Sequence, residues 1–413
     1  MKEPTPIIRP FGGLRPLPER APEIVAPPYD VLSVEEARDL AKGKPNSFLH
    51  ISRAEIDLPP DIHPYAPEVY HKSAQNFRRM MAGGLLIRDK IPCYYAYRMR
   101  KGLRATQIGL VAVLPVSAYD NGYIRQHEQT RLDKVNDRIR QIEALNTQTS
   151  PVLLAHPDND DAECLVSLIA SGDPITDVIN DGVRHTLWQT IDPEIITRLN
   201  TAFGTMSALY IADGHHRLAA ASRIAAARRG HGAPPSSEYF LAVIFPANQM
   251  RIMDYNRVVC GLNGLSPDGF LKALETCCAV EKMPKAASPE KAGIFSLYLP
   301  GRWYRLAVHP GRIPVNDPVR GLDVSMLSDL ILAPILGITD MRRDRRIDFV
   351  GGVRGLKELE NRVDSGEMAA AFALYPTSIS TLMSVADAGE IMPPKSTWFE
   401  PKLVDGLVSH VMD

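Results

Sequence analysis

The residues best suited to chemistry sit close together at Asp213-Gly214-His215-His216-Arg217, between a short apolar run, Met206 to Ala212, and an Ala-rich stretch that ends at Gly230. A strand that turns through glycine into a helix leaves backbone N–H groups without partners at the helix start. Such a start receives anions. Arg217, His215 and His216 would add donors for phosphate oxygens, Gly214 lets the backbone approach closely, and Asp213 would hold Mg²⁺ or orient a hydroxyl. The same spacing also fits a plain capped helix, with Asp213 as N-cap and two surface histidines.

A second set runs from His127-Glu128 through Arg131, Lys134, Asp137 and Arg138. Thr130 and Asp133 resemble a capping box. The helix that follows buries Val135, Ile139 and Ile142 and puts Lys134, Asp137, Arg138 and Gln141 on its other face. Turned to a cleft, that face would offer Arg131, Lys134 and Arg138 to phosphates and Glu128 as a carboxylate base. Turned to water, it is a solvated charged face. A zinc HExxH reading fails because Arg131 stands where the second histidine belongs. The third set is Met392-Pro-Pro-Lys-Ser-Thr-Trp-Phe-Glu-Pro-Lys402. Its prolines hold the backbone out of helix, so that Lys395 would return to the cleft, unless the segment is a strap packing Trp398 and Phe399. Asp254-Tyr-Asn-Arg257 reads as a cleft wall or a turn. The sequence contains neither a P-loop nor a dinucleotide GxGxxG pattern.

The elements needed to position these residues mix strands and helices. The Pro-rich first sixty residues, of the kind that lines a site when ordered, lead to Ser33 as a helix N-cap. A helix is predicted over 68–83, strands over 91–100 and 105–116, another over 183–190, and a helix from Asp192-Pro193. The helix after Gly214 runs to Arg229. Hairpins are predicted for 239–246 with 251–259 and for 295–300 with 303–308. The fold class is α/β (α+β), with mixed sheets and flanking helices. A boundary near Asn263 divides a phosphate-binding catalytic region, 1–262, from a C-terminal α+β lobe, 263–413, whose last segment returns to the cleft.

The 413 residues carry 47 Lys+Arg against 48 Asp+Glu, a net charge of -1, which argues against nucleic acid as a partner. Five cysteines with no CxxC spacing point to reduced thiols and a cytoplasmic protein. The N-terminus lacks the apolar core of an export signal. The longest apolar run, Leu330 to Ile338, contains Pro334 and falls short of the roughly twenty residues a membrane span needs, so no membrane partner is expected.

Across nearly the whole chain, APPYDVL, HEQTRLDK, NDR, DGHHR, DYNRVV, LDVSML, IDFVGG and MPPKSTWFEPKL resemble the DUF1015 family. The DGHHR turn is similar to the phosphate-binding DGxHR turn of free L-serine kinases with a ParB/sulfiredoxin-like fold. That resemblance implies a ParB/sulfiredoxin-like core with a second, smaller C-terminal lobe. It also implies phosphorylation of a small-molecule amino acid, giving O-phospho-L-serine, with ATP, ADP or pyrophosphate as donor and Mg²⁺ as expected cofactor. Asp213, His216 and Arg217 take the Asp, His and Arg of the motif, and Glu128 is the first choice for the catalytic glutamate, with Glu55 competing. Two other classes of function are a nucleotide- or phosphate-sensing module without turnover, and a metal-dependent phosphohydrolase using His215, His216 and Asp213.

Overall fold

The computed structural model describes residues 6–102, 106–230, 232, 234–315 and 317–413. The chain forms two units: the described residues up to Met250 together with Pro401–Asp413, and Arg251–Glu400.

The first unit is built on an eight-stranded mixed sheet. Its order is Ile124–Arg125, Leu209–Asp213, Val152–His156, Tyr239–Pro246, Gln107–Pro115, Tyr94–Lys101, Val183–Thr190 and Thr176–Asn180. Two contacts are parallel, Leu209–Asp213 with Ile124–Arg125 and Tyr239–Pro246 with Val152–His156, and the others antiparallel. The central strands are apolar on both faces, with Leu110 to Ala112 and Phe240 to Phe245 fully buried. A strand buried on both faces needs cover on both. One layer comes from the helices Asp160–Ile169 and Pro193–Gly204, which bring Leu165, Val166, Leu199 and Phe203 into the core. Helix His215–Arg228 lays Ala219, Ala220 and Ile224 against Val135 and Ile142 of helix Leu132–Leu145, the small alanines allowing close approach. The Pro-rich N-terminal region adds a further core of Ile24, Phe48, Leu49 and Ile51 on Phe77 and Met80 of helix Pro67–Ala82. Ser33 and Glu36 form a full capping box at Val34–Ala41.

The last thirteen residues are part of this unit. His410–Val411 pairs with Thr147–Gln148, Ser409 exchanges backbone hydrogen bonds with Leu14, and Asp405 does so with Ala26. Leu403, Val404, Leu407, Val408 and Met412 are buried.

The second unit carries a six-stranded antiparallel sheet in the order Cys278–Lys282, Arg302–Val308, Ile294–Leu299, Ala370–Ala373, Tyr255–Val259, Ile347–Gly351. Tyr255–Val259 is an interior strand there, so this unit begins before the boundary expected at 262/263, and it ends before the terminal segment assigned to the same lobe. The hairpin expected between 239–246 and 251–259 does not form, because its two halves pair in different units. The hairpins at Tyr94–Lys101 with Gln107–Pro115 and at Ile294–Leu299 with Arg302–Val308 do form. Part of the first expected turn, 103–105, lies outside the described residues. All five cysteines are free thiols. No helix among the described residues is long and apolar enough to cross a membrane.

Candidate functional site

The strand Leu209–Asp213 shifts register against Val152–His156 between Ile211 and Asp213, an irregularity that re-aims the strand end. Gly214 follows at φ +94°, ψ 26°, and the helix starts at His215 with no capping side chain. Asp213 is therefore not the N-cap, and the first N–H groups of the helix gain no side-chain acceptor from it. Its carboxylate instead accepts a 3.0 Å hydrogen bond from Lys402 Nζ. Burial works to raise the Asp213 pKa, yet Lys402 and Arg217 outweigh it and hold the carboxyl well below the usual range. Burial also opposes the Lys402 charge, and Asp213 with Asp30 overcomes that, raising its pKa.

Arg217 leaves the first helical turn in the opposite direction from solvent. It is 8% exposed, donates through Nη1 to the Pro151 carbonyl, and reaches Asp30 Oδ2 through Nη2 at 3.0 Å. Next to it, Asp405 accepts from Ser150 Oγ at 2.6 Å and from the Tyr29 backbone at 3.2 Å. Burial pushes the Asp405 carboxyl up to about 6, against the pull of Ser150 and Arg217. The Tyr29 ring lies under two guanidiniums, Arg138 at 3.8 Å and Arg217 at 5.7 Å from its centre. Arg138 also forks onto Asp137, which accepts from Tyr70 Oη at 2.8 Å. A cleft lined by Arg138, Gln141, Ser150 and Arg217 results.

Helix Leu132–Leu145 is organised differently from its expected face. It starts with Arg131 as N-cap and no side-chain cap, because Asp133 pairs with exposed Arg131 rather than closing a box with Thr130. Asp137 and Gln141 are buried and Arg138 nearly so, whereas exposed Lys134 donates to Tyr65 Oη. His216 is occupied as well: its Nε2 accepts the Arg131 backbone N–H at 3.0 Å. Burial, then Lys134 and Arg131, lower its pKa. Lys395 lies in the second unit at φ +60°, its ammonium 5.6 Å from the Tyr255 ring centre and its carbonyl bonded to Arg257. Lys402 is the C-terminal lysine that meets the turn.

On the outer side of the turn, His127 meets His215 edge-on, with ring centres 4.6 Å apart. Glu128 is half-exposed, with Oε2 4.0 Å from His215 Nδ1. Glu55 is buried and held by Arg53 Nε at 2.5 Å. The sequence reading missed Tyr29, Asp30, Asp405 and Lys402. The first two belong to the Pro-rich APPYDVL segment, whose order was a usable signal. Lys402 stands near the end of the MPPKSTWFEPKL segment, where Lys395 was singled out instead, and Asp405 lies just beyond it in a stretch without a motif.

A family model described as a protein of unknown function, DUF1015, matches residues 8–325. No curated protein matches the chain. Among solved structures, a free serine kinase in complex with AMP is 14% identical, covering 70% of this chain and 86% of that one with a TM-score of 0.35. A conserved hypothetical protein from Pyrococcus furiosus is 17% identical over 71% of this chain and 93% of that one, TM-score 0.35. SbnI with a C-terminal truncation, from Staphylococcus aureus, is 11% identical over 71% and 85%, TM-score 0.37.

Proposed function

We propose a function for a chain that belongs to the DUF1015 family: it is a phosphotransferase that moves a phosphoryl group from ATP, ADP or pyrophosphate to the hydroxyl of a free amino acid, serine being the first choice. The observation that carries this reading is the helix start at Gly214-His215, left without a capping side chain and flanked by Arg217 and Lys402. Phosphoryl transfer needs positioning and charge neutralisation more than covalent help from the protein. Backbone N–H groups at a helix start, with cations beside them, supply both. Glu128 is the carboxylate assigned to accept the proton of the acceptor hydroxyl, since it is half-exposed and sits beside His215 in the first helical turn.

Asp213 does not suit a resident Mg²⁺. That ion takes six oxygens in near-octahedral order, and this carboxylate already holds an ammonium at 3.0 Å. Magnesium therefore enters the reading only as the counter-ion of a nucleotide donor. The phosphohydrolase trio is disfavoured by the same contact, together with the turn of His216 toward Arg131. The free thiols favour a reducing compartment such as the cytoplasm.

The test is incubation of the purified protein with Mg²⁺, each donor and a panel of hydroxyl amino acids, with mass spectrometry for the phosphorylated product. Product from the wild type that disappears in Gly214→Ala supports the reading. Donor binding with no product from any acceptor would replace it with the sensing module.

A further inference from the structure

We infer that His127, His215 and Glu128 form a binding site for a zinc-class divalent cation, with an open coordination position at the start of helix His215–Arg228. One ligand atom from each residue lies within 4.8 Å of the other two. A tetrahedral zinc with bonds of about 2.0–2.1 Å sets its ligands roughly 3.4 Å apart, so closing the site needs movements of under about 1.5 Å. Glu128 can supply most of that. Its side chain is 45% exposed, and its Oε2 is already 4.0 Å from His215 Nδ1.

The two histidines are prepared in a way that packing alone does not explain. The His215 ring is 4% exposed: its Nε2 is buried without a hydrogen-bond partner among the described residues, and its Nδ1 meets Glu128 at 4.0 Å. A buried imidazole nitrogen left in that condition is costly and calls for a function. His127, 1% exposed, is anchored by a hydrogen bond to the Ile211 backbone, the orientation device typical of metal-bound histidines. Both rings are buried beside Glu128, and the neutral imidazole is the form that ligates a cation. Two imidazoles and one carboxylate are the donor set of a catalytic zinc, leaving the fourth position to water or a phosphate oxygen.

This inference does not rest on phosphoryl transfer. A carboxylate bound through one oxygen keeps the other for a proton, so the role assigned to Glu128 above is compatible with it. The full-length protein, stripped with a chelator, is titrated with Zn²⁺ against a chromogenic competitor and then with Co²⁺, read by its visible spectrum. About one equivalent is expected in the wild type and in His71→Ala, which removes an exposed histidine outside the cluster. Since loss of an outer partner already costs about 10–100-fold in affinity, Glu128→Gln and His127→Gln should each lose about 100-fold or more. The histidine is buried and its variant can fail to fold, so Glu128→Gln decides the matter. Wild-type protein that retains no metal, or full-affinity binding by Glu128→Gln, overturns the site. A protein that holds the cation but makes no phosphorylated product keeps this inference and loses the kinase reading.

Discussion

Lys402 Nζ and Asp213 Oδ2 lie 3.0 Å apart although 189 residues separate them in sequence. The pair ties the C-terminal segment to the end of the strand that presents the turn. Their side chains are 22% and 30% exposed, so water screens the pair only in part. The C-terminal segment is thus a component of the site, and deleting it would remove buried Leu403, Val404, Leu407 and Val408 along with the lysine.

Replacing the lysine alone is the cleaner experiment. Breaking a fully buried pair from one side costs about 3–5 kcal/mol, and the residual exposure here reduces the expectation for Lys402→Met to about 1–3 kcal/mol. The folded Asp213 pKa is depressed, so its contribution is present above about pH 4 and is lost as pH falls. The Lys402 pKa is raised, so its contribution is present below about pH 10 and is lost above. Urea midpoints should therefore show a constant gap between wild type and variant from pH 5 to 9 that closes in acid. A gap that widens in acid contradicts the pairing.

Asp405 gives the opposite sign. Its folded pKa, about 6, lies above the unfolded value near 4, so the folded state binds the proton more tightly and stability falls as pH rises between the two. The difference between those two values corresponds to about 3 kcal/mol as an upper figure. Asp405→Asn mimics the protonated group, since the amide can serve both Ser150 and Tyr29. The variant should match wild type near pH 4 and exceed it by about 1–3 kcal/mol at pH 7.5, measured by chemical denaturation at both values. Equal stabilities at pH 7.5 would count against the burial argument.

Arg217 carries a different expectation from the one its position suggests. A polar residue in a first helical turn reads as exposed, yet this one is buried and bonded to Pro151 and Asp30. Arg217→Ala should cost about 2–3 kcal/mol by leaving acceptors without their donor. Any loss of donor binding is then read more safely in Arg217→Lys, whose charge survives while the fork is lost. Thermal denaturation distinguishes the two, with the alanine variant clearly the less stable.

How far the site was legible follows from the range of its contacts. The turn at Asp213-Gly214-His215 was visible because strand, glycine and helix are local in sequence and each leaves its own pattern. The hairpin at Ile294–Leu299 with Arg302–Val308 was visible for the same reason. Lys402 on Asp213 and Asp30 on Arg217 were not, because nothing local marks a partner 189 or 187 residues away. His216 was legible as a chemical group but not as a direction. Which of two adjacent histidines faces the Arg131 backbone is decided by how helix Leu132–Leu145 docks, a tertiary matter. The lost hairpin at 239–259 shows the same limit: both halves read as strands, but the second divides into Arg251–Met253 and Tyr255–Val259, which join different sheets, neither of them that of Tyr239–Pro246.

Gly214 offers the sharpest test of the proposed phosphate site. Its φ of +94° lies where L-residues are disfavoured by roughly 1–2 kcal/mol, so Gly214→Ala should cost about that much stability. Crowding adds little, because a Cβ there would stand 3.4 Å from Val152 Cα and 3.5 Å from Arg217 Cδ, ordinary contact distances. The larger consequence is directional. Relief of the strain rotates the peptide that leads into His215, and the N–H groups at the helix start then no longer converge on one anion. Donor affinity, measured by calorimetry with ADP and with pyrophosphate, should fall by about 10-fold or more. The control is Gly230→Ala at the far end of the same helix, where φ is +78° and an added Cβ would touch nothing within 4 Å. That variant bears a similar backbone penalty without touching the turn, so it should lose stability to a like degree and keep its donor affinity. Equal losses of affinity in both variants would trace the effect to general destabilisation, and wild-type affinity in Gly214→Ala would remove the turn from the binding site.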